Sequence, residues 1–287
     1  MANPTDTKTN KKRKTRYRTI WISDTHLGSY GAGAAAVLDF LQHTESEMLY
    51  LVGDIIDGWQ LQKRWYWPQQ HNTVIQQILQ KAKKGTQVYY IPGNHDEMMR
   101  QFIGLRFGDI TIHEDMIHTT ATGKKLWVVH GDLFDNVIQH WRWLAYIGDR
   151  FYVILLASNR LINAISRFFH LPYWSFSQYL KHKVKSAVSY ISAFENALET
   201  EAKRRGAVGV VCGHIHKPLL KTSEAGFIYA NDGDWVESLT ALVEHHDGRL
   251  EIIAWKENMA DKQKSAGSEG KVRKVGRRLR LIRKRAA

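Results

Sequence analysis

The chain has 287 residues, enough to bury a large core in one or two domains. Its 41 basic residues outnumber its 28 acidic ones, and the net charge of +13 points to an anionic partner: nucleic acid, a phosphorylated substrate or a membrane surface. A single cysteine excludes an internal disulfide framework and fits a reducing compartment, and no apolar run reaches the length of a membrane-spanning helix.

Met1 to Tyr17 is polar and basic and reads as a disordered arm; it lacks the apolar stretch of a secretory signal, so a cytoplasmic protein is expected. Arg18 to Ile22 reads as a strand, followed by the loop "SDTHLGSYG", and Ala34 to Gln42 as a helix. "MLYLVGD", Met48 to Asp54, is a second apolar strand ending in Gly-Asp. "HNTVIQQILQKAKKG" has helical spacing and stops at Gly85. "QVYYIPGNHD", "KKLWVVHGD" and "AVGVVCGHIH" read as three further strands, each running into polar residues; "GFIYANDGDWVES", "TALVEHH" and "RLEIIAW" read as later ones. Short apolar strands alternating with helices predict an α/β protein whose sheet is covered on both faces, with ligands bound outside the carboxyl ends of the strands.

Residues 18–134 and 206–255 thus form a core, interrupted by a helical insertion at 135–205. A polar linker, 256–270, leads to the basic tail 271–287. In that tail Val272, Val275, Leu279, Ile282 and Ala286 recur at helical spacing among cations with no acid. Such a segment can lie on an anionic lipid surface or be a solvated extension; a nucleic-acid tether is a third reading.

The strand ends collect a particular set of donors. Asp24 and His26 form D-x-H, Asp54 lies in "GDIID", and Asn94, His95 and Asp96 lie in "GNHD". His130 lies in "HGD", and His214 and His216 form "GHIH". If the chain stays extended from His214 to His216, both imidazoles face one way, with Cys212 turned away as a small core residue. Seven candidate ligands, Asp24, His26, Asp54, Asn94, His130, His214 and His216, offer oxygen and nitrogen donors suited to Mn2+, Fe or Zn2+. They are too many for one tetrahedral ion and suit two ions that share a carboxylate.

This ordered set resembles the calcineurin-like metallophosphoesterase superfamily over roughly Arg18 to Trp255. The resemblance implies a four-layer αββα sandwich with an inserted helical lid and two divalent ions at the strand ends. It implies that Asp24, His26, Asp54 and His216 hold one ion and Asp54, Asn94, His130 and His214 the other. His95 would stabilise the transition state or act as general acid, and Asp96 would orient it. "GDWVES" and the placement of the insertion are similar to the UDP-2,3-diacylglucosamine pyrophosphatase branch of lipid A synthesis, whose enzymes typically use Mn2+ and release UMP and 2,3-diacylglucosamine 1-phosphate. The better-known members of that branch carry Arg after the Asn of "GN", where this chain has His95, so a different nucleotide or lipid-linked diphosphate is a second reading, as is a nucleic-acid phosphodiesterase.

In the insertion, Arg160, Arg167, Lys181 and Lys185 stand among Trp, Phe, Tyr and Leu and are candidate substrate-binding residues; the plainer alternative is a helical hairpin with its own core. The expected partners are a phosphorylated nucleotide-sugar lipid and an anionic membrane surface, with the protein peripheral on the cytoplasmic face of the inner membrane. No specific protein partner is inferred.

Overall fold

The structure, a computed structural model, describes residues 14–137 and 176–256. The chain divides into two compact units, Met1–His130 with Val208–Ala287, and Gly131–Ala207.

The first unit is built on two mixed sheets. Its elements are β1 (Thr15–Ile22), α1 (Ala34–His43), β2 (Thr44–Val52), α2 (Gly58–Lys63), α3 (Gln69–Lys83), β3 (Gln87–Ile91), a 3-10 turn (Glu97–Phe102), β4 (Arg106–Phe107), β5 (Ile110–Ile112), β6 (Met116–Thr119) and β7 (Lys125–Val128). After the second unit come β8 (Gly209–Cys212), β9 (Leu219–Thr222), β10 (Ile228–Asn231), β11 (Thr240–Glu244) and β12 (Leu250–Ala254). The seven-stranded sheet runs β12-β11-β1-β2-β3-β5-β4 and the five-stranded sheet β6-β7-β8-β10-β9. β1, β2, β3 and β5 are parallel in the first, and β7, β8 and β10 in the second.

Strand alternation explains the layering. Ile20, Ile22, Leu49 and Leu51 pack with Val37, Phe40, Leu41, Val74 and Ile78 of α1 and α3. The intervening residues Trp21, Tyr50 and Val52 point the other way and pack with Leu126, Val128, Val211, Ile228 and Ala230 of the second sheet. A central strand buried on both faces is therefore apolar throughout, as "IWI" and "YLV" are. The result is the α/β architecture expected: mixed sheets flanked by helices.

Two strands begin earlier than expected, β1 at Thr15 instead of Arg18 and β2 at Thr44 instead of Met48. β1 begins at Thr15, and Tyr17 is already buried, because Thr15 to Tyr17 pair with Thr44 to Ser46 of β2. α2, β4, β5, β6 and β9 were not expected; the strands among them are two to four residues long and carry no clear period.

The second unit contains a 3-10 turn (Asp132–Val137) and the helix α4 (Phe176–Arg204), with Phe194, Leu198 and Ala202 buried on one helical stripe. Lys181 and Lys185 belong to α4, whereas Arg160, Arg167 and the tail 271–287 lie outside the described residues. No helix among the described residues is long and apolar enough to cross a membrane.

Candidate metal centre

The carboxyl ends of β1, β2, β3, β7 and β8 converge, and each delivers one of the motifs. Three groups of ligating atoms form there: Asp24, His26 and His216; Asp54, His130 and His214; and His26, Asp57 and His95. His216 Nε2 lies 3.0 Å from Asp24 Oδ1 and 3.4 Å from His26 Nε2. His130 Nε2 lies 3.4 Å from Asp54 Oδ2, and its ring is 5.1 Å from that of His214.

The backbone is bent to make this possible. Among the described residues six non-glycines have positive φ, and five of them are Asp24, His26, Asp54, His214 and His216. Such a conformation costs roughly 1–3 kcal/mol at each residue and persists only where the surroundings impose it. His214 and His216 are thus not extended, with φ of 69° and 51°, which corrects the expectation of a shared face. The left-handed turns send His214 to Asp54 and His216 to Asp24 instead.

Glycines clear the space. A Cβ on Gly93 would meet Asp54 Oδ1 and, at 2.7 Å, His130 Nε2. One on Gly213 would meet Ser23 Oγ and, at 2.6 Å, Asp24 Oδ2.

Hydrogen bonds then fix each ligand candidate. His130 donates Nδ1–H to the Val52 carbonyl at 2.8 Å, which leaves Nε2 for Asp54's side of the site. Asp24 Oδ2 accepts from the His214 amide at 2.9 Å and from Ser23 Oγ at 2.5 Å. Ser23 Oγ also lies 2.6 Å from Asp232 Oδ1, and burial pushes the Asp232 carboxyl well above its usual range. Burial thus disfavours a second full charge beside Asp24. Burial opposes ionisation of Asp24, but hydrogen bonds from His216 and His26 outweigh it and hold Asp24 well below the usual carboxylate range. Burial likewise opposes protonation of His26, and Asp24 and Asp57 outweigh it, raising His26 to about 10. The concentrated carboxylate charge that favours a proton on His26 would equally favour a cation.

The donor set fits divalent metal. Asn94 Oδ1 is buried with no hydrogen-bond partner, an arrangement that a carbonyl oxygen tolerates when something other than protein occupies its lone pairs. No thiolate competes, since Cys212 is buried, packs its Sγ against Asn231 and Tyr229, and has its thiol pushed up to about 12 by burial.

The family model described as calcineurin-like phosphoesterase matches residues 17–218. The chain belongs to that family. Among curated proteins it is similar to the UDP-2,3-diacylglucosamine hydrolases of Aliivibrio fischeri and Xanthomonas campestris. The first is 22% identical over 249 residues, covering 79% of this chain and 94% of the relative. The second is 27% identical over 250 residues, covering 82% and 99%. A solved Thermotoga maritima protein aligns with a TM-score of 0.41 at 14% identity, covering 83% of this chain and 99% of that one.

Within this phosphoesterase six of the seven expected residues fall in the adjacent groups and Asn94 follows β3 in the same loop as His95, but Asp96 does something else. Its Oδ1 accepts from the Gly93 amide at 2.6 Å; its Oδ2 accepts from the Ile55 amide at 2.8 Å and from Tyr90 Oη at 2.5 Å. Asp96 is therefore a brace between the β2 and β3 loops and faces away from its neighbour. The partner of His95 is Asp57, with Oδ1 3.0 Å from Nδ1, and Trp59 lays its ring 4.2 Å from the His95 ring. Asp57 was legible in "GDIID", three residues after Asp54, as a second carboxylate at the same strand end.

Proposed function

We propose that this metal-dependent phosphoester hydrolase cleaves the diphosphate of UDP-2,3-diacylglucosamine, giving UMP and 2,3-diacylglucosamine 1-phosphate. The observation that carries the reading is the pair of adjacent His–Asp groups with His95 poised beside them, joined to the printed function of the curated relatives. Two divalent ions, Mn2+ by preference, would be held by Asp24, His26 and His216 on one side and by Asn94, His130 and His214 on the other, with Asp54 shared.

Such ions would supply positive charge to the phosphate oxygens and acidify water. The chain's own groups do the rest. In its doubly protonated form His95 gives Nδ1–H to Asp57 and directs its Nε2–H outward, so that this second proton passes to the departing phosphate oxygen as the P–O bond breaks. The His95 amide donates to Asp54 Oδ1 at 2.8 Å, which keeps that carboxylate turned toward His130.

In this reading 135–205 caps the site and holds acyl chains, with Arg160, Arg167, Lys181 and Lys185 meeting phosphate. The tail 271–287 keeps the enzyme on the cytoplasmic face of the inner membrane. The test is a turnover comparison of manganese-loaded protein on UDP-2,3-diacylglucosamine, on unacylated UDP-N-acetylglucosamine and on DNA. The acylated substrate should be preferred by more than an order of magnitude; equal cleavage of the two UDP-sugars, or faster cleavage of DNA, removes the proposal.

A further inference from the structure

The segment that joins α2 to α3 combines exposed aromatics with cations. From Gly58 to His95 there is no aspartate or glutamate, and Lys63 and Arg64 stand inside the run Trp59, Trp65, Tyr66, Trp67. Trp65 is 74% exposed and Tyr30, from the preceding loop, 66% exposed. Isolated apolar residues at a surface are ordinary, but grouped aromatics are not.

These rings are held in place. Trp67 Nε1 donates to Asn72 Oδ1 at 2.8 Å, and the Trp67 and Tyr66 rings meet the His71 ring edge-on at 5.4 and 5.8 Å. His71 is itself buried, with Nδ1 accepting from the Gly28 amide at 3.1 Å. Tyr66 stacks on Tyr30 with centroids 3.8 Å apart, and the Arg64 guanidinium lies 5.8 Å from the Tyr30 ring. Packing thus uses Tyr66 and Trp67 as anchors and leaves Trp65, Lys63 and Arg64 facing water.

We propose that this loop is a docking surface for an anionic lipid bilayer. Tryptophan and tyrosine favour the boundary between head groups and acyl chains, where an apolar ring and a polar edge are both satisfied. Lys63 and Arg64 complement lipid phosphates, and the absence of any acid in the segment removes the repulsion that would oppose them. The loop follows directly from Asp57 through α2, so docking would present the His95 side of the site to the bilayer. That consequence rests on the lipid-linked reading above; the docking itself does not.

The test uses full-length, manganese-loaded protein with phosphatidylglycerol–phosphatidylcholine vesicles. The variant K63S/R64S/W65S is compared with a control, K124S/K125S/V208S, which removes two exposed cations and one exposed apolar residue at the opposite strand ends. The loop variant should lose vesicle partition by at least roughly tenfold, the control far less, and both should hydrolyse soluble bis(p-nitrophenyl) phosphate at the parent rate. Equal losses in the two variants would mean net charge alone is responsible and would overturn the proposal. So would parent-level partition of the loop variant, or loss of diester turnover with vesicle binding intact. If the loop variant behaves as expected while UDP-2,3-diacylglucosamine is not cleaved, the substrate reading fails and the docking surface stands.

Discussion

Asp57 Oδ1 sits 3.0 Å from His95 Nδ1, while Asp57 Oδ2 lies 3.4 Å from His26 Nδ1. One carboxylate therefore orients both the group assigned to the leaving oxygen and a candidate metal ligand. Burial works against its charge, but the bonds from His26 and His95 prevail and keep its carboxyl below the usual range.

The first consequence is kinetic. His95→Ala should lower kcat by on the order of a hundredfold, with metal content little changed. Asp57→Asn should lower kcat by roughly tenfold or more by releasing the imidazole. At saturating Mn2+, where the Asp57–His26 contact no longer limits metal uptake, the double variant should lose no more than His95→Ala alone, because Asp57 acts on the leaving group through His95. Additive losses in steady-state turnover would assign Asp57 a separate role.

Asp96 gives a contrasting case. Its removal leaves several buried amide donors unsatisfied, so Asp96→Ala should cost roughly 3 kcal/mol or more in denaturant unfolding. A fully stable variant with a reduced kcat would restore the reading in which Asp96 orients His95.

Gly93 offers a steric test of the same centre. A Cβ there would collide with the Asp54 carboxylate and the His130 ring. Gly93→Ala should therefore lower metal uptake, measured by elemental analysis, by more than its effect on thermal stability would explain. Gly93 is not among the glycines with positive φ, so the collision rather than backbone strain sets the effect.

The pH dependence of stability should be set in part far from the metal centre. Burial disfavours the charge on Glu244, but His118, the Ala121 amide, Thr19 and Arg18 outweigh it and lower its pKa from 4.5 to about 2. A carboxylate depressed in the folded state adds stability above pH 4.5 and loses it as the pH falls toward about 2. Glu244→Gln should reduce stability at neutral pH by on the order of 3 kcal/mol and flatten the acid limb between those values. An unchanged slope in urea titrations across that range would refute this.

Much of this arrangement could be read before the structure, and its failures are instructive. The strand-end motifs were legible because parallel strands buried on both faces are continuous apolar runs, so a following Asp, Asn or His stands out. The left-handed backbone at Asp24, His26, Asp54, His214 and His216 was not, since only a folded scaffold imposes it. That is why alternation misjudged His214 and His216. Adjacency likewise misassigned Asp96, because neighbouring side chains diverge and a short carboxylate turns back onto nearby amides. Trp59 and Asp232 gave no signal of their own; only the fold brings them beside His95 and Ser23.

The proposed reaction needs two cations held by two adjacent groups of side chains. Titrating Mn2+ into metal-free protein while following bound metal and hydrolysis of bis(p-nitrophenyl) phosphate tests it most directly. Activity should rise to its plateau only as bound metal approaches two ions per chain. His216→Ala and His214→Ala should each retain about one, and Asp54→Ala should weaken both sites. Full activity at a plateau of one ion per chain would contradict the two-ion centre.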